Sequence, residues 1–304
     1  MEAATATARR RQALPQRAWR WLRRNGLNIY AGFAVAYLLI PIVVIAVFSF
    51  GETPRDKLDF ALHGFTLEYW QHAFSLPDLN DALLTSLKLA GLATVFSTAI
   101  GTLMALALVR HKFFGRRAAN LLIILPMASP EIVLGAALLS MFVYYQVDLG
   151  FNTLLIAHVM FSISFVVVVV RTRLIGFDRS LEEAAQDLGA TPLETFRYVT
   201  FPLMLPGVVA AALLAFALSI DDFVISNFNS GTTVTFPLYV YGVALRGIPV
   251  QVNAIATMLF IITSLAIVLV FWQQRRAERM ARVQPDAEPI VAPPAPVAPG
   301  TAGG

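Results

Sequence analysis

Glu131, His158, Asp221 and Asp222 lie within strongly apolar stretches of the chain, where an ionisable group is costly and faces a partner charge, a bundle interior or a watery path rather than lipid. Counted along a helix from Pro206, Asp221 lies about 15 residues on, roughly 22 Å, in the outer part of a membrane. Adjacent residues on a regular helix diverge by about 100°. The two carboxylates of Asp221-Asp222 therefore point apart unless the helix is irregular, which leaves room for one to serve a pathway and the other a structural contact. A cation is the solute such a field would attract, and Phe223, Phe228, Tyr239 and Tyr241 supply ring faces for it nearby in the chain. An acidic pair tied to a basic residue such as Arg246 explains the same residues, and both uses stay open.

Pro126 and Pro130 bracket Met127-Ala128-Ser129 just before Glu131. Prolines at that spacing disrupt a helix and release backbone carbonyls, which membranes tolerate where the backbone faces protein or water. Glu131 then has a structural use and a substrate-contact use open to it. His158 stands alone among apolar neighbours, and a metal site needs several ligands at compatible spacing, so a hydrogen bond to a neighbouring helix is expected. No convergent nucleophile, base or metal cluster is visible, which disfavours an enzyme. The absence of Cys excludes thiolate chemistry and disulfides. No Gly-x-x-x-x-Gly-Lys-Ser/Thr phosphate loop occurs, so no ATP chemistry is expected of this chain.

The elements that must position these groups are membrane helices. The 304 residues are 57% apolar and 14% charged, outside the range of a typical soluble domain. An all-α membrane protein is expected, with six spans at about 27–50, 82–109, 118–144, 153–170, 207–226 and 252–272, each near the ~20 residues needed to cross ~30 Å of hydrocarbon. The net charge of +4 is explained by topology rather than by nucleic acid. Residues 1–26 carry seven arginines and Trp19 and Trp21, and read as a disordered cytoplasmic tail ending in an interfacial anchor rather than a cleaved signal. Arg110-His111-Lys112, Arg116-Arg117, Arg171-Thr172-Arg173 and Arg275-Arg276 fall on the same side, which the positive-inside rule makes cytoplasmic, with both termini inside. On the other side, 51–81 holds Phe60, Phe65, Tyr69 and Trp70 and either a short interfacial helix or a plain connector. Residues 273–304 turn basic and then Pro/Ala-rich, a composition that buries no core.

Between the fourth and fifth spans, 171–206 is a hydrophilic segment built for a helix, a bend and a second helix. Ser180 and Glu183 have capping-box spacing, Gly189 can end the first helix, and Thr191 with Glu194 repeats the device around Pro192. Glu183-Ala184-Ala185, three residues, Gly189, nine residues, then Val199-Thr200-Phe201-Pro202 resembles the signature of permease subunits of binding-protein-dependent ABC importers. Val199 and Phe201 depart mildly from that family's usual Ile and Leu. The resemblance implies the type I ABC importer permease fold over 27–272, with the core importer region at about 82–272. It also implies coupling helices, formed here by Glu183, Ala184, Ala185, Gly189 and Pro202, that dock on a cytoplasmic ATPase. Small Ala184 and Ala185 suit close helix approach, Glu183 offers a carboxylate to a basic partner, and Gly189 permits the bend.

A narrower pattern, Ser219-Ile220-Asp221-Asp222-Phe223-Val224-Ile225-Ser226 with Phe236-Pro237-Leu238 and Pro249-Val250-Gln251-Val252-Asn253-Ala254, looks like the membrane subunits of spermidine/putrescine importers of the second-permease type. The family implies a bacterial plasma-membrane location and a second, similar permease. It further implies two ATPase subunits that bind ATP and Mg, and an external binding protein that delivers the solute. Another solute on the same scaffold, such as an amino acid, another organic cation or a ferric complex, is the alternative within transport, and a membrane scaffold or signalling protein the alternative outside it. For the cation path the residues implied are Asp221, Asp222, Glu131, Phe223, Tyr239 and Tyr241.

Overall fold

The computed structural model describes residues 2–53, 63–176 and 178–283. It is helical, and the chain divides into two compact units, Met1–Phe50 with Asn253–Gly304, and Gly51–Val252.

In the first unit, α1 (Glu2–Phe48) is a continuous helix. The expectation of a disordered tail over 1–26 is corrected there, since helical backbone begins at Glu2 and runs into the apolar Asn25–Phe48. Ala, Arg, Gln and Leu dominate this stretch, all good helix formers. The last helix (Val250–Val283, α12 below) likewise continues past Trp272 instead of stopping there. Arg276 lies over the Trp272 ring at 3.8 Å, a cation–π contact one turn apart. The Pro/Ala-rich stretch 284–304 lies outside the described residues.

The second unit begins with the short α2 (Glu68–Gln71), which buries Tyr69 and bonds its hydroxyl to Thr53 at 3.2 Å. Of the two alternatives left open for 51–81, the described residues show the short helix; Phe60 lies outside the described residues. Then come α3 (Pro77–Arg110), α4 (Arg116–Ala128), α5 (Glu131–Tyr144), α6 (Phe151–Ile175), α7 (Ser180–Asp187) and α8 (Pro192–Thr195). A five-residue π-helical turn (Phe196–Thr200) joins α8 to α9 (Phe201–Ile220), followed by α10 (Val224–Asn229), α11 (Phe236–Ala244) and α12.

The core is the mutual packing of α3, α6 and α9. Ala105 and Leu108 meet Val166, Val167 and Val170, and Ala211 and Ala215 let α9 come close. Gly101 is the tightest point: a Cβ there would lie 2.7 Å from Val166 Cγ1, and a β-branched neighbour has little rotamer freedom with which to yield. Gly101→Ala should therefore cost about 1–3 kcal/mol through overpacking, read as a lower thermal-unfolding midpoint of the detergent-purified chain; an unchanged midpoint would mean that α3 and α6 are not this closely packed.

Among the described residues, four helical stretches are long and apolar enough to cross a membrane, Asn25–Phe48, Pro77–Arg110, Phe151–Ile175 and Pro192–Ile220, and a fifth if α4 and α5 count as one broken span. The third expected span is not a straight helix. α4 and α5 meet at 111°, and the break falls at Ser129-Pro130, where Ser129 is extended at φ −84°, ψ 141°. Proline forces its predecessor out of the helical region and offers no N–H to continue the ladder. Pro126 sits inside α4 without ending it, so of the two prolines only Pro130 makes the break. The expected fifth span is also interrupted. Its helix starts earlier, at Pro192, and stops at Ile220, so Asp221-Asp222 lies in a break before α10. α12 runs for 34 residues, Val250–Val283, and its sequence stays largely apolar as far as Trp272.

Candidate functional site

Two places carry the groups singled out above: the elbow between α6 and α9, and the break between α9 and α10. At the elbow, α7 starts by a different device from the expected one. Ser180 is already in the helix, its side chain caps nothing, and Asp178 accepts the Ser180 N–H at 2.9 Å instead. That bond, with the Ser180 hydroxyl, holds the Asp178 carboxyl below the usual carboxylate range.

The end of α7 is as expected. Gly189 adopts φ +90°, a left-handed conformation that glycine takes without the Cβ penalty. Ala190 N–H bonds Ala185 C=O at 3.0 Å and Gly189 N–H bonds Gln186 C=O at 2.9 Å, the paired bonds of a Schellman cap. The chain then turns into α8 through the Thr191–Glu194 box: Glu194 Oε2 accepts the Thr191 N–H at 2.8 Å, and the Thr191 hydroxyl accepts the Glu194 N–H at 3.4 Å. The Thr191 backbone bond, followed by its hydroxyl, holds Glu194 below the usual carboxylate range. A depressed carboxylate contributes stability above the unfolded pKa and loses it as pH falls through the folded one. The cap is therefore intact at neutral pH and weakens as pH falls through the lowered Glu194 titration, and Thr191→Ala should weaken it by about 1 kcal/mol, seen as faster amide exchange at 193–196. Pro202 follows the widened π turn at the start of α9; such turns relieve a strained ladder and recur at functional sites.

Nothing in α7 is buried. Glu183 and Ala184 are exposed and Ala185 half-buried. Leu188 is 90% exposed and Leu193 74%, so the elbow presents an apolar, unpartnered surface. What holds it to the bundle is a residue the sequence reading passed over. Glu182 Oε1 accepts from Arg110 Nη2 and from the Thr200 hydroxyl, both at 2.6 Å, tying α7 to the end of α3 and to the π turn. Arg110 is 72 residues away in the chain, and no local signal pairs the two. Glu182→Gln removes a charge-assisted bond of the kind worth about 1.5–3 kcal/mol. It should quicken limited proteolysis of 176–190 by about tenfold or more; an unchanged nicking rate would show that the tie does not restrain the elbow.

At the second place the acidic pair divides. Asp222 Oδ1 accepts the Ile225 N–H at 3.2 Å and Oδ2 the Ser226 N–H at 2.8 Å, capping α10. Its side chain is 6% exposed, and Oδ2 lies 3.4 Å from His158 Nε2. His158, buried on α6, also shares hydrogen bonds with Ser219 Oγ at 2.7 Å and Ser226 Oγ at 3.0 Å. The lone histidine is thus bound to neighbouring helices, as expected, and the Asp222 carboxylate is engaged with this knot. Asp221, at the end of α9, is exposed. Next to it Phe223 and Tyr241 pack with their rings tilted by 45° and centroids 4.8 Å apart, Tyr241 being 54% exposed and Tyr239 half-buried on the same helix. Phe228 is used differently: it packs against Gly135, where a Cβ would lie 2.8 Å from its ring, while Asn229 donates to the Gly135 carbonyl at 3.3 Å. Those contacts dock α10 on α5. Glu131 is the exposed first residue of α5, beside the Ser129-Pro130 break, where a carboxylate suits the helix dipole. The structure does not bring it to Asp221 through any contact that it records.

A polytopic helical bundle with an exposed elbow held by the Glu182 tie, and a broken, acid-bearing helix further along, is the build of a membrane transport subunit. The chain belongs to the binding-protein-dependent transport system inner membrane component family, whose model matches residues 97–283. It is 37% identical over 243 residues to the spermidine/putrescine transport system permease protein PotC of Haemophilus influenzae, covering 80% of this chain and 93% of that one. It is 33% identical over 251 residues to the putrescine transport system permease protein PotI of Escherichia coli, covering 80% and 88%. Among solved structures it is similar in fold, at a TM-score of 0.62 and 17% identity over 88% of this chain and 100% of the other, to a bacterial ABC transporter involved in the import of the acidic polysaccharide alginate.

Proposed function

We propose that this chain is a permease subunit for polyamine uptake, carrying spermidine or putrescine inward through a bacterial plasma membrane at the expense of ATP hydrolysed by a separate subunit. The observation that carries the reading is the 37% identity with a permease of that name along 93% of its length. In the assembly the chain pairs with a second, homologous permease and two ATPase subunits that hold ATP and Mg, and an external binding protein delivers the solute. Six spans cross the bilayer, counting α4–α5 as a broken span and α12 as the last. Both termini are cytoplasmic by the positive-inside rule, applied to the arginines near the two ends of the chain and at the α3–α4 turn.

The elbow is the coupling element. Glu183, Ala184, Ala185 and Gly189 form its docking surface, with Pro202 at the base of α9, and closure of the ATPase pair moves the bundle through it. The cation path passes the break between α9 and α10. Asp221 supplies the charge and Phe223, Tyr239 and Tyr241 the ring faces. Asp222 anchors the break through His158, and Glu131 flanks the path at the start of α5. The test is ATP hydrolysis by the reconstituted complex across a panel of diamines, triamines and amino acids delivered by the binding protein. Stimulation by putrescine or spermidine alone is expected; stimulation by an amino acid and not by either polyamine would replace the cargo.

A further inference from the structure

Where α3 ends, α4 begins and α6 gives way to α7, the chain encloses a cleft of about 340 Å³ that neither the docking surface nor the acidic break uses. Arg110, Lys112, Arg116 and Arg179 line it, over a floor that includes Leu174 and Ile175. Glu182 offsets part of this charge through its 2.6 Å pair with Arg110. Lys112 and Arg179 are exposed and Arg116 is half-buried. A concave site walled by one sign of charge focuses the field and draws in counter-ions.

The apolar half of the cleft narrows the choice of anion. Ile175 is 65% exposed, and on the turn between α3 and α4 Phe113 is 44% and Phe114 fully exposed. Arg110 is the last residue of a helix long and apolar enough to cross a membrane, so the cleft lies at the level where hydrocarbon meets water, the level at which basic and aromatic anchors gather. We propose that this cleft binds the phosphate of an anionic phospholipid. The cationic groups of Lys112, Arg116 and Arg179 hold the phosphate, and the acyl chains run along Ile175 and the Phe113-Phe114 turn. A soluble phosphate would satisfy the cations but leave the aliphatic floor and the exposed rings unused, whereas a lipid uses both. Since Arg110 also holds Glu182, the bound headgroup lies one salt bridge from the elbow, within reach of the element that α7 forms. The site depends on neither the cargo nor the ATPase.

The experiment takes the purified full-length chain in neutral detergent and follows bound lipid by native mass spectrometry during titration with phosphatidylglycerol, phosphatidylcholine or inorganic phosphate. The wild type should retain phosphatidylglycerol over phosphatidylcholine. The triple variant Lys112→Gln, Arg116→Gln, Arg179→Gln, which leaves the Arg110–Glu182 pair in place, should lose about 100-fold in phosphatidylglycerol affinity, at about fivefold per cation, with phosphatidylcholine unaffected. The single, exposed Lys112→Gln gives the same reading at about fivefold should the triple variant fail to fold. Equal retention of the two lipids, or unchanged retention by the variants, would overturn the proposal. So would displacement of phosphatidylglycerol by inorganic phosphate at equal concentration, which would assign the cleft to a soluble anion.

Discussion

Gly189→Arg should reduce uptake to below about one per cent of wild type while the chain still inserts and folds. Gly189 sits at φ +90°, where a residue with a Cβ is penalised by roughly 1–2 kcal/mol, enough to disturb the α7 cap but too little to unfold a bundle whose core is α3, α6 and α9. Nothing lies within 4 Å of a Cβ built at this position. The arginine would therefore start into open space and project from the elbow, beside Leu188, into the space a docking partner must occupy. Gly189→Ala separates the two effects, since it carries the backbone cost and almost none of the added volume. Uptake by the alanine variant should stay within a few-fold of wild type, whereas a similar loss in both would place the effect in the bend and not in the docked surface.

Asp221→Asn and Asp222→Asn should fail differently. Asp221 is exposed beside the Phe223–Tyr241 pair, so its amide costs little in folding but removes a charge from the path. At about 6 Å and an effective dielectric of about 20, that charge is worth about 2–3 kcal/mol to a passing cation. With water partly screening it, uptake of a polyamine should fall by about tenfold, with normal amounts of assembled complex. Asp222 accepts two backbone N–H bonds and faces His158. An amide there turns one acceptor into a donor aimed at a donor, at a cost of about 1–3 kcal/mol. The expected result is less folded protein, with uptake per assembled complex nearly unchanged. Equal flux defects at equal assembly would return both carboxylates to the path.

The parts of this fold that depend on neighbours in sequence could be read from it. Thr191, Pro192 and Glu194 form the expected cap, and Gly189 ends α7 as glycine does where φ must be positive. Ser180 misled because Asp178, two residues earlier, offers a better-placed carboxylate for the same N–H. Hydropathy found the apolar stretches but not their interruptions. The prolines before Glu131 announced the first of these, the 111° break at Ser129-Pro130, whereas hydropathy did not mark the stop at Ile220, just before Asp221-Asp222. Of the contacts between distant residues, only a hydrogen bond from His158 to some neighbouring helix could be expected, and no partner residue could be named. Glu182 meets Arg110 across 72 positions and His158 meets Ser219 across 61, and these bonds decide which carboxylates hold the fold and which remain exposed.

The chain has no cysteine, so a single one can be placed without background. Ala184→Cys on α7 and Tyr145→Cys, just beyond the far end of α5, are exposed positions on opposite sides of the proposed topology. With a short bifunctional thiol reagent in the assembled complex, the account predicts a cross-link from position 184 to a cysteine in the ATPase subunit's groove, changed in yield by ATP, and none from position 145. A cross-link to the ATPase from 145, or none from 184 under any nucleotide condition, would contradict the claim that ATP-driven motion enters this bundle through its elbow.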